Sequence, residues 1–128
     1  MATYPSDLKY TKDHEWARVE GDRVRVGVTS YAVEQLGDIT LVDLPKVGTK
    51  LDAHGHFGDI ESVKTVSELF APVAGEVVEI NDKLESSPEL INEGPYDKGW
   101  MIALKGAASL DGLMDAAAYE AYLGTLDH

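Results

Sequence analysis

Two apolar runs meet at a lysine near the middle of the chain. Ile60 and Val63 precede Lys64, while Val66 and then Leu69-Phe70 follow it. Two strands joined at that lysine are therefore expected, with Lys64 at the hairpin tip. A lysine at a turn keeps its ammonium in water and its stem free, and lysine is the side chain whose charge acylation removes. Taken alone, a tip lysine is more often a solvated turn than a site.

The rest of the chain repeats short β patterns around that hairpin. Residues 1–7 are expected as a loose lead-in, with order beginning at Leu8 to Tyr10. His14 to Val19 and Arg23 to Val28 alternate polar and apolar about Glu20-Gly21-Asp22, which predicts a hairpin with one wet face. Thr29-Ser30 supply hydroxyls for a helix cap, Tyr31 to Leu36 is a short helix, and Gly37 can take the positive φ that ends it. Further strands are expected over Ile39 to Leu44, Val77 to Ile80 and Trp100 to Lys105. Asn81-Asp82-Lys83 turns, Ser86-Ser87-Pro88 breaks, and Asn92 to Gly99 is a polar loop. Gly106 to Ser109 forms a linker. Leu110, Leu113, Met114, Ala117 and Ala121 then recur at helical spacing, so a C-terminal helical segment is expected over about 109–124, with Asp115 as a cap and Gly124 as a stop. Many short strands with Gly and Pro turns and little helix predict a mainly β fold, a flattened barrel or sandwich.

Composition removes several function classes. At 128 residues the chain fits one domain, 1–128, with a core over about 8–105. Eleven basic against 23 acidic residues give a net charge of −12, which argues against a nucleic-acid partner; the acidity either attracts basic patches on partner proteins or serves solubility alone. There is no cysteine, hence no protein thiolate, and any sulfur chemistry must come from a cofactor. No run approaches the ~20 apolar residues that cross a bilayer, and Met1 to Lys9 has neither signal-peptide nor transit-peptide character. The expectation is a cytoplasmic bacterial protein, or a mitochondrial matrix protein if the chain is a processed organelle product. His54-Gly55-His56 has no third ligand at a recognisable spacing, so no metal is expected. The sequence motifs of common enzymes are missing. Trp16 and Trp100 are expected as core anchors.

Glu61-Ser62-Val63-Lys64, followed by Ser67-Glu68 and by Pro72-Val73-Ala74-Gly75-Glu76-Val77, resembles the lipoylation site of the glycine cleavage system H protein family. His14-Glu15-Trp16, Tyr31-Ala32, Gln35-Leu36-Gly37-Asp38-Ile39, Leu44-Pro45, Asn92-Glu93-Gly94-Pro95-Tyr96 and Gly99-Trp100 fall in that family's order, so the resemblance covers nearly the whole chain. It implies the barrel-sandwich hybrid of lipoyl and biotinyl domains, with a short internal helix and a C-terminal helix. It also implies lipoic acid in amide linkage on Lys64, a hairpin read by the attaching enzyme through Glu61, Ser62, Val63, Thr65 and Glu68, and an arm-docking cleft at Glu15, Gln35 and Glu68. Gln35 stands where some relatives place a histidine, and Val33 where a polar residue is common.

A non-catalytic, monomeric carrier is what the resemblance implies. The decarboxylating P-protein would load it with the aminomethyl group of glycine, the tetrahydrofolate-dependent T-protein would unload it, and the dihydrolipoamide dehydrogenase or L-protein would reoxidise it. A lipoate-attaching ligase or transferase would be a further partner. A carboxylate suits the cleft, because the loaded arm ends in a cation that needs an anionic partner. Three rivals stand beside this reading. A biotin carrier would show Met-Lys-Met, whereas Val63 and Thr65 flank Lys64 here. A relay of lipoyl groups to other proteins shares every motif above. A Schiff-base lysine would need burial, which a hairpin tip denies it.

Overall fold

A computed structural model describes residues 4–106, 110 and 112–126. Among the described residues, nine strands and four helices follow one another: β1 (Lys9–Tyr10), β2 (Glu15–Glu20), β3 (Arg23–Val28), α1 (Ser30–Leu36), β4 (Ile39–Asp43), β5 (Lys50–Leu51), β6 (His56–Ser62), β7 (Val66–Phe70), β8 (Gly75–Ile80), α2 (Lys83–Ser86), α3 (Leu90–Glu93), β9 (Ile102–Lys105) and α4 (Ala116–Leu126). They form a six-stranded sheet in the order β1-β2-β3-β9-β8-β5 and a three-stranded sheet in the order β4-β6-β7. The mainly β expectation holds, as two sheets facing one another across a core rather than one closed barrel.

That core is aliphatic. Val24, Val26 and Val28 of β3, Val77 of β8 and Ile102 and Leu104 of β9 meet Val42, Ile60 and Leu69 of the smaller sheet. A second, aromatic cluster of Tyr10, Trp16 and Tyr119 with Leu8 and Leu123 lies on the other side of the larger sheet. It explains why the β2-β3 hairpin departs from the expected single wet face. Glu15, Trp16 and Ala17 are all buried, because the outer face there is roofed by α4 and by the aromatic residues. Solvent reaches the hairpin at its turn, where Glu20 pairs Arg23 across Gly21-Asp22 and Val19 is exposed. Gly27 is opposite Trp16, and a Cβ at that glycine would lie 2.7 Å from the indole ring.

Several boundaries fall differently from the sequence reading. Of the lead-in residues that the structure describes, Tyr4 and Pro5 are packed, not loose, while Ser6 and Asp7 are exposed: Tyr4 stacks edge-on against Tyr119 at 5.2 Å, and Tyr10 donates its hydroxyl to the Pro5 carbonyl at 2.6 Å. Residues 107–109 of the expected linker lie outside the described residues. The C-terminal helix starts at Ala116, because Met114 is held in a β-bridge to Tyr10 instead. Asp115 caps it, accepting from the Ala118 amide at 2.8 Å. Gly124 does not stop it, since the helix runs to Leu126 and one exposed glycine costs only about 1 kcal/mol. The last strand starts at Ile102, leaving Trp100 half-buried under the Arg25 guanidinium, 4.3 Å from the ring, rather than in the core. Two short helical turns, α2 and α3, stand where a turn, a break and a loop were expected.

Candidate functional site

The hairpin of β6 and β7 closes with a turn from Ser62 to Thr65. The Ser62 amide donates to the Thr65 carbonyl at 2.8 Å, and the Ser62 hydroxyl accepts from the amides of Lys64 and Thr65 at 3.3 and 3.2 Å. One serine therefore satisfies the backbone donors of the tip, a turn device its short hydroxyl allows. Val63 is 71% exposed at the crest, and Lys64 beside it is also exposed.

The tip is fixed from outside as well. The Val63 amide donates to the Asp38 carbonyl at 3.1 Å. Asp38 is itself bracketed: the Asn92 side chain donates to the Gly37 carbonyl at 2.9 Å and accepts from the Ile39 amide at 3.0 Å. Gly37 ends α1 with φ 79, and a Cβ built there would sit 3.4 Å from Lys64 Cε. The lysine stem thus lies across the carbonyl end of α1, where a cation is favoured. At its other end α1 is capped by Thr29, which accepts from the Ala32 amide at 3.3 Å as the hydroxyl pair predicted.

A cleft of about 340 Å³ runs between α1 and β7, lined by Tyr31, Ala32 and Gln35 on one wall and Thr65, Ser67 and Glu68 on the other, with His14 and Glu15 at its end. Glu15, Gln35 and Glu68 therefore share one cavity although the sequence separates them widely. Glu61 and Val63 do not line it; Glu61 faces the outer side of the small sheet.

Glu15 is 1% exposed. Oε2 accepts from the Phe70 amide and Oε1 from the Thr11 hydroxyl, each at 3.1 Å. Burial pushes its carboxyl up to about 8, against the opposing pull of those two hydrogen bonds. At neutral pH the group is mostly protonated in the protein alone, so it is a poised acid rather than the standing carboxylate the sequence suggested. A cation entering the cleft would favour the ionised form and release a proton.

His14 sits beside it at φ 67, a left-handed conformation that histidine tolerates better than most side chains. Its Nδ1 lies 2.8 Å from the Tyr119 hydroxyl, which also meets the Thr29 hydroxyl at 2.8 Å. One tyrosine of α4 thereby ties the end of the cleft to the cap of α1. Burial lowers the His14 imidazole and raises the Tyr119 phenol, so both are neutral near pH 7. Asn92, Asp38 and Tyr119 were missed by the sequence reading. Asn92 belongs to a quoted block, yet nothing local marks it as a clamp.

Comparison with known proteins matches this geometry to one family. A model of the glycine cleavage H-protein family matches residues 8–126. A glycine cleavage system H protein of Symbiobacterium thermophilum is 56% identical over 124 residues, covering 95% of this chain and 97% of that protein. One from Geobacillus kaustophilus is 54% identical over 121 residues, covering 93% and 95%. The crystal structure of a glycine cleavage system H protein from Mycobacterium marinum superposes with a TM-score of 0.87 at 41% identity, covering 94% of this chain and 99% of that one. With the match running through both sheets, the Lys64 hairpin and the cleft beside it, the chain belongs to the glycine cleavage H-protein family.

Proposed function

We propose that the chain works as the lipoyl carrier of the glycine cleavage system, as a single domain over 1–128, and that Lys64 is the attachment site. Family membership supports the role, and the observation that carries the site is an exposed lysine on a turn pinned by Ser62, Asp38 and Asn92. The residues fit such a group: the stem leaves the tip over Gly37, next to Thr65 and Leu36, which line the cleft of about 340 Å³. When attached, lipoic acid supplies the sulfur that the cysteine-free chain lacks, in the form of a disulfide that can open, carry and close again.

The chain's own residues then perform three tasks. Glu61, Ser62, Val63, Thr65 and Glu68 present Lys64 to the lipoate-attaching enzyme, with the peptide groups of the turn already satisfied. The cleft wall formed by Gln35, Thr65 and Glu68 excludes bulk water from a docked arm. Glu15, poised near its titration point, yields its proton as an aminomethyl cation approaches, leaving a buried carboxylate to pair with it. The chain itself breaks no bond, so it is a carrier and not an enzyme.

The partners in this reading are the P-, T- and L-proteins of the system, met transiently by a monomer in the cytoplasm. No helix among the described residues is long and apolar enough to cross a membrane. The test is carbon dioxide release from glycine by the P-protein. Release should depend on prior lipoylation of the chain and vanish with Lys64→Arg; an equal rate with the unmodified chain would overturn the carrier role.

A further inference from the structure

The outer face of the small sheet carries a second hollow, which shares only Val66 with the cleft. A bulge between Ile39 and Leu41 turns Leu41 outward, where it is 48% exposed. The register then sets Leu41 opposite Glu61, and Glu61 opposite Val66, itself 61% exposed. The adjoining row is Asp43, Asp59 and Glu68. Carboxylates placed directly opposite one another weaken a sheet. Among the described residues only His56 pairs with one of them, at 3.0 Å from Asp59. The other sheet is managed differently, with Arg18 and Arg25 held by Glu20, and Arg23 by Glu79. Leu41, Val66, Asp43, Asp59 and Glu61, together with Glu85 of α2, line the hollow, of about 520 Å³, while Glu68 lines the cleft instead.

We propose that this face is the docking surface for the enzyme that acylates Lys64, and that the surface seated on it bears lysine or arginine around an apolar side chain that enters the hollow. The inference rests on the carrier reading above. An enzyme that acylates a bare lysine must bring its active site to the end of a four-carbon stem. It has to lie against a flank of the tip. One flank is closed by α1, whose end carries the lysine stem; the other is this face, which begins at Val66 and Glu61. Enzymes that act on the far end of a loaded arm can stand off. Uncompensated acids steer a basic partner, and the two exposed apolar residues supply the buried centre that charges alone lack.

The experiment is steady-state lipoylation of the full chain by a lipoate ligase with ATP and lipoate, followed by intact mass. Asp43→Lys and Leu41→Asp should each raise the KM for the chain about tenfold while kcat stays within about twofold, and the salt dependence of KM should flatten for Asp43→Lys. Asp22→Lys, at the far turn of the large sheet, should match the wild type. Leu41→Ser provides a milder change if Leu41→Asp alters the circular dichroism. Wild-type KM for all variants of this face would overturn the proposal and leave the carrier reading intact. So would an effect confined to reoxidation by dihydrolipoamide dehydrogenase, which would give the face a different occupant. No adduct on wild-type Lys64 would overturn both.

Discussion

The Lys64 tip and the corner around Glu15 satisfy their polar groups in opposite ways. At the tip most partners are local, with Ser62 serving residues up to three further along the chain, the Val63 amide alone reaching out to Asp38, and the lysine left in water. At the corner the neighbouring Thr11 is joined by distant segments: Phe70 on Glu15, and Tyr119 and Thr29 on the hydrogen bonds around His14. The first arrangement tolerates chemistry on its central side chain, because nothing else depends on that side chain. The second arrangement is a buried network in which the Glu15 carboxyl and the Tyr119 hydroxyl each hold two partners, so any change is felt.

The contrast is broken most sharply by Lys64→Arg. Loading should be abolished while the thermal midpoint stays within about 1 °C of the wild type, since an exposed residue is exchanged for another cation; a large drop in the midpoint would mean that the tip is structural after all.

The corner makes the reverse prediction, a stability that depends on pH. Glu15 has a folded value of about 8, above its unfolded value of 4.5. The folded state therefore holds the proton more tightly, and stability is greatest below about pH 4.5 and declines as pH rises to about 8. The decline has a ceiling on the order of 5 kcal/mol. Urea midpoints at pH 5, 7 and 9 should show it, and Glu15→Gln should flatten the slope between pH 5 and 9. His14, lowered by burial, contributes with the opposite sign in both proteins and cancels in that comparison. An identical slope for Glu15→Gln would remove Glu15 as the titrating group.

Gly27→Ala probes the same corner from behind. A Cβ 2.7 Å from the Trp16 ring must displace a fully buried indole whose Nε1 donates to the Pro95 carbonyl at 2.8 Å. A loss of about 3 kcal/mol in urea unfolding is expected, with loading of Lys64 unaffected under native conditions.

Tyr119→Phe keeps the ring and deletes the hydroxyl shared by His14 and Thr29, for a loss of about 1 kcal/mol. The His14 ring nitrogen resonances should shift with it, and unchanged resonances would show that the imidazole is held by something else. Ser62→Ala, at the tip, should cost only about 0.5 kcal/mol, because water replaces its hydroxyl.

The same contrast explains what could be read in the sequence. The hairpin, α1 with its Thr29 cap and Gly37 end, and the strands β2, β3 and β8 rest on neighbours in the chain, and their residue types announce them. The start of α4 was misplaced because Met114 fits a helical period equally well and is claimed by Tyr10, more than a hundred residues earlier. The outward turn of Leu41 follows from a bulge against β6 and has no local mark. In the cleft, Glu15 and Glu68 were found through resemblance rather than through any spacing. That Glu15 would be buried enough to hold its proton depends on β7 closing over it, with Phe70 bonded to its carboxyl, which only the fold could reveal.

The most direct measurement is intact mass with peptide mapping after incubation of the chain with a lipoate ligase, ATP and lipoate. A single lipoyl adduct on the peptide containing Lys64, and none on the other lysines, is the predicted result. An adduct elsewhere, or none at all, would contradict the assignment of the tip as the place where this chain takes on its cofactor.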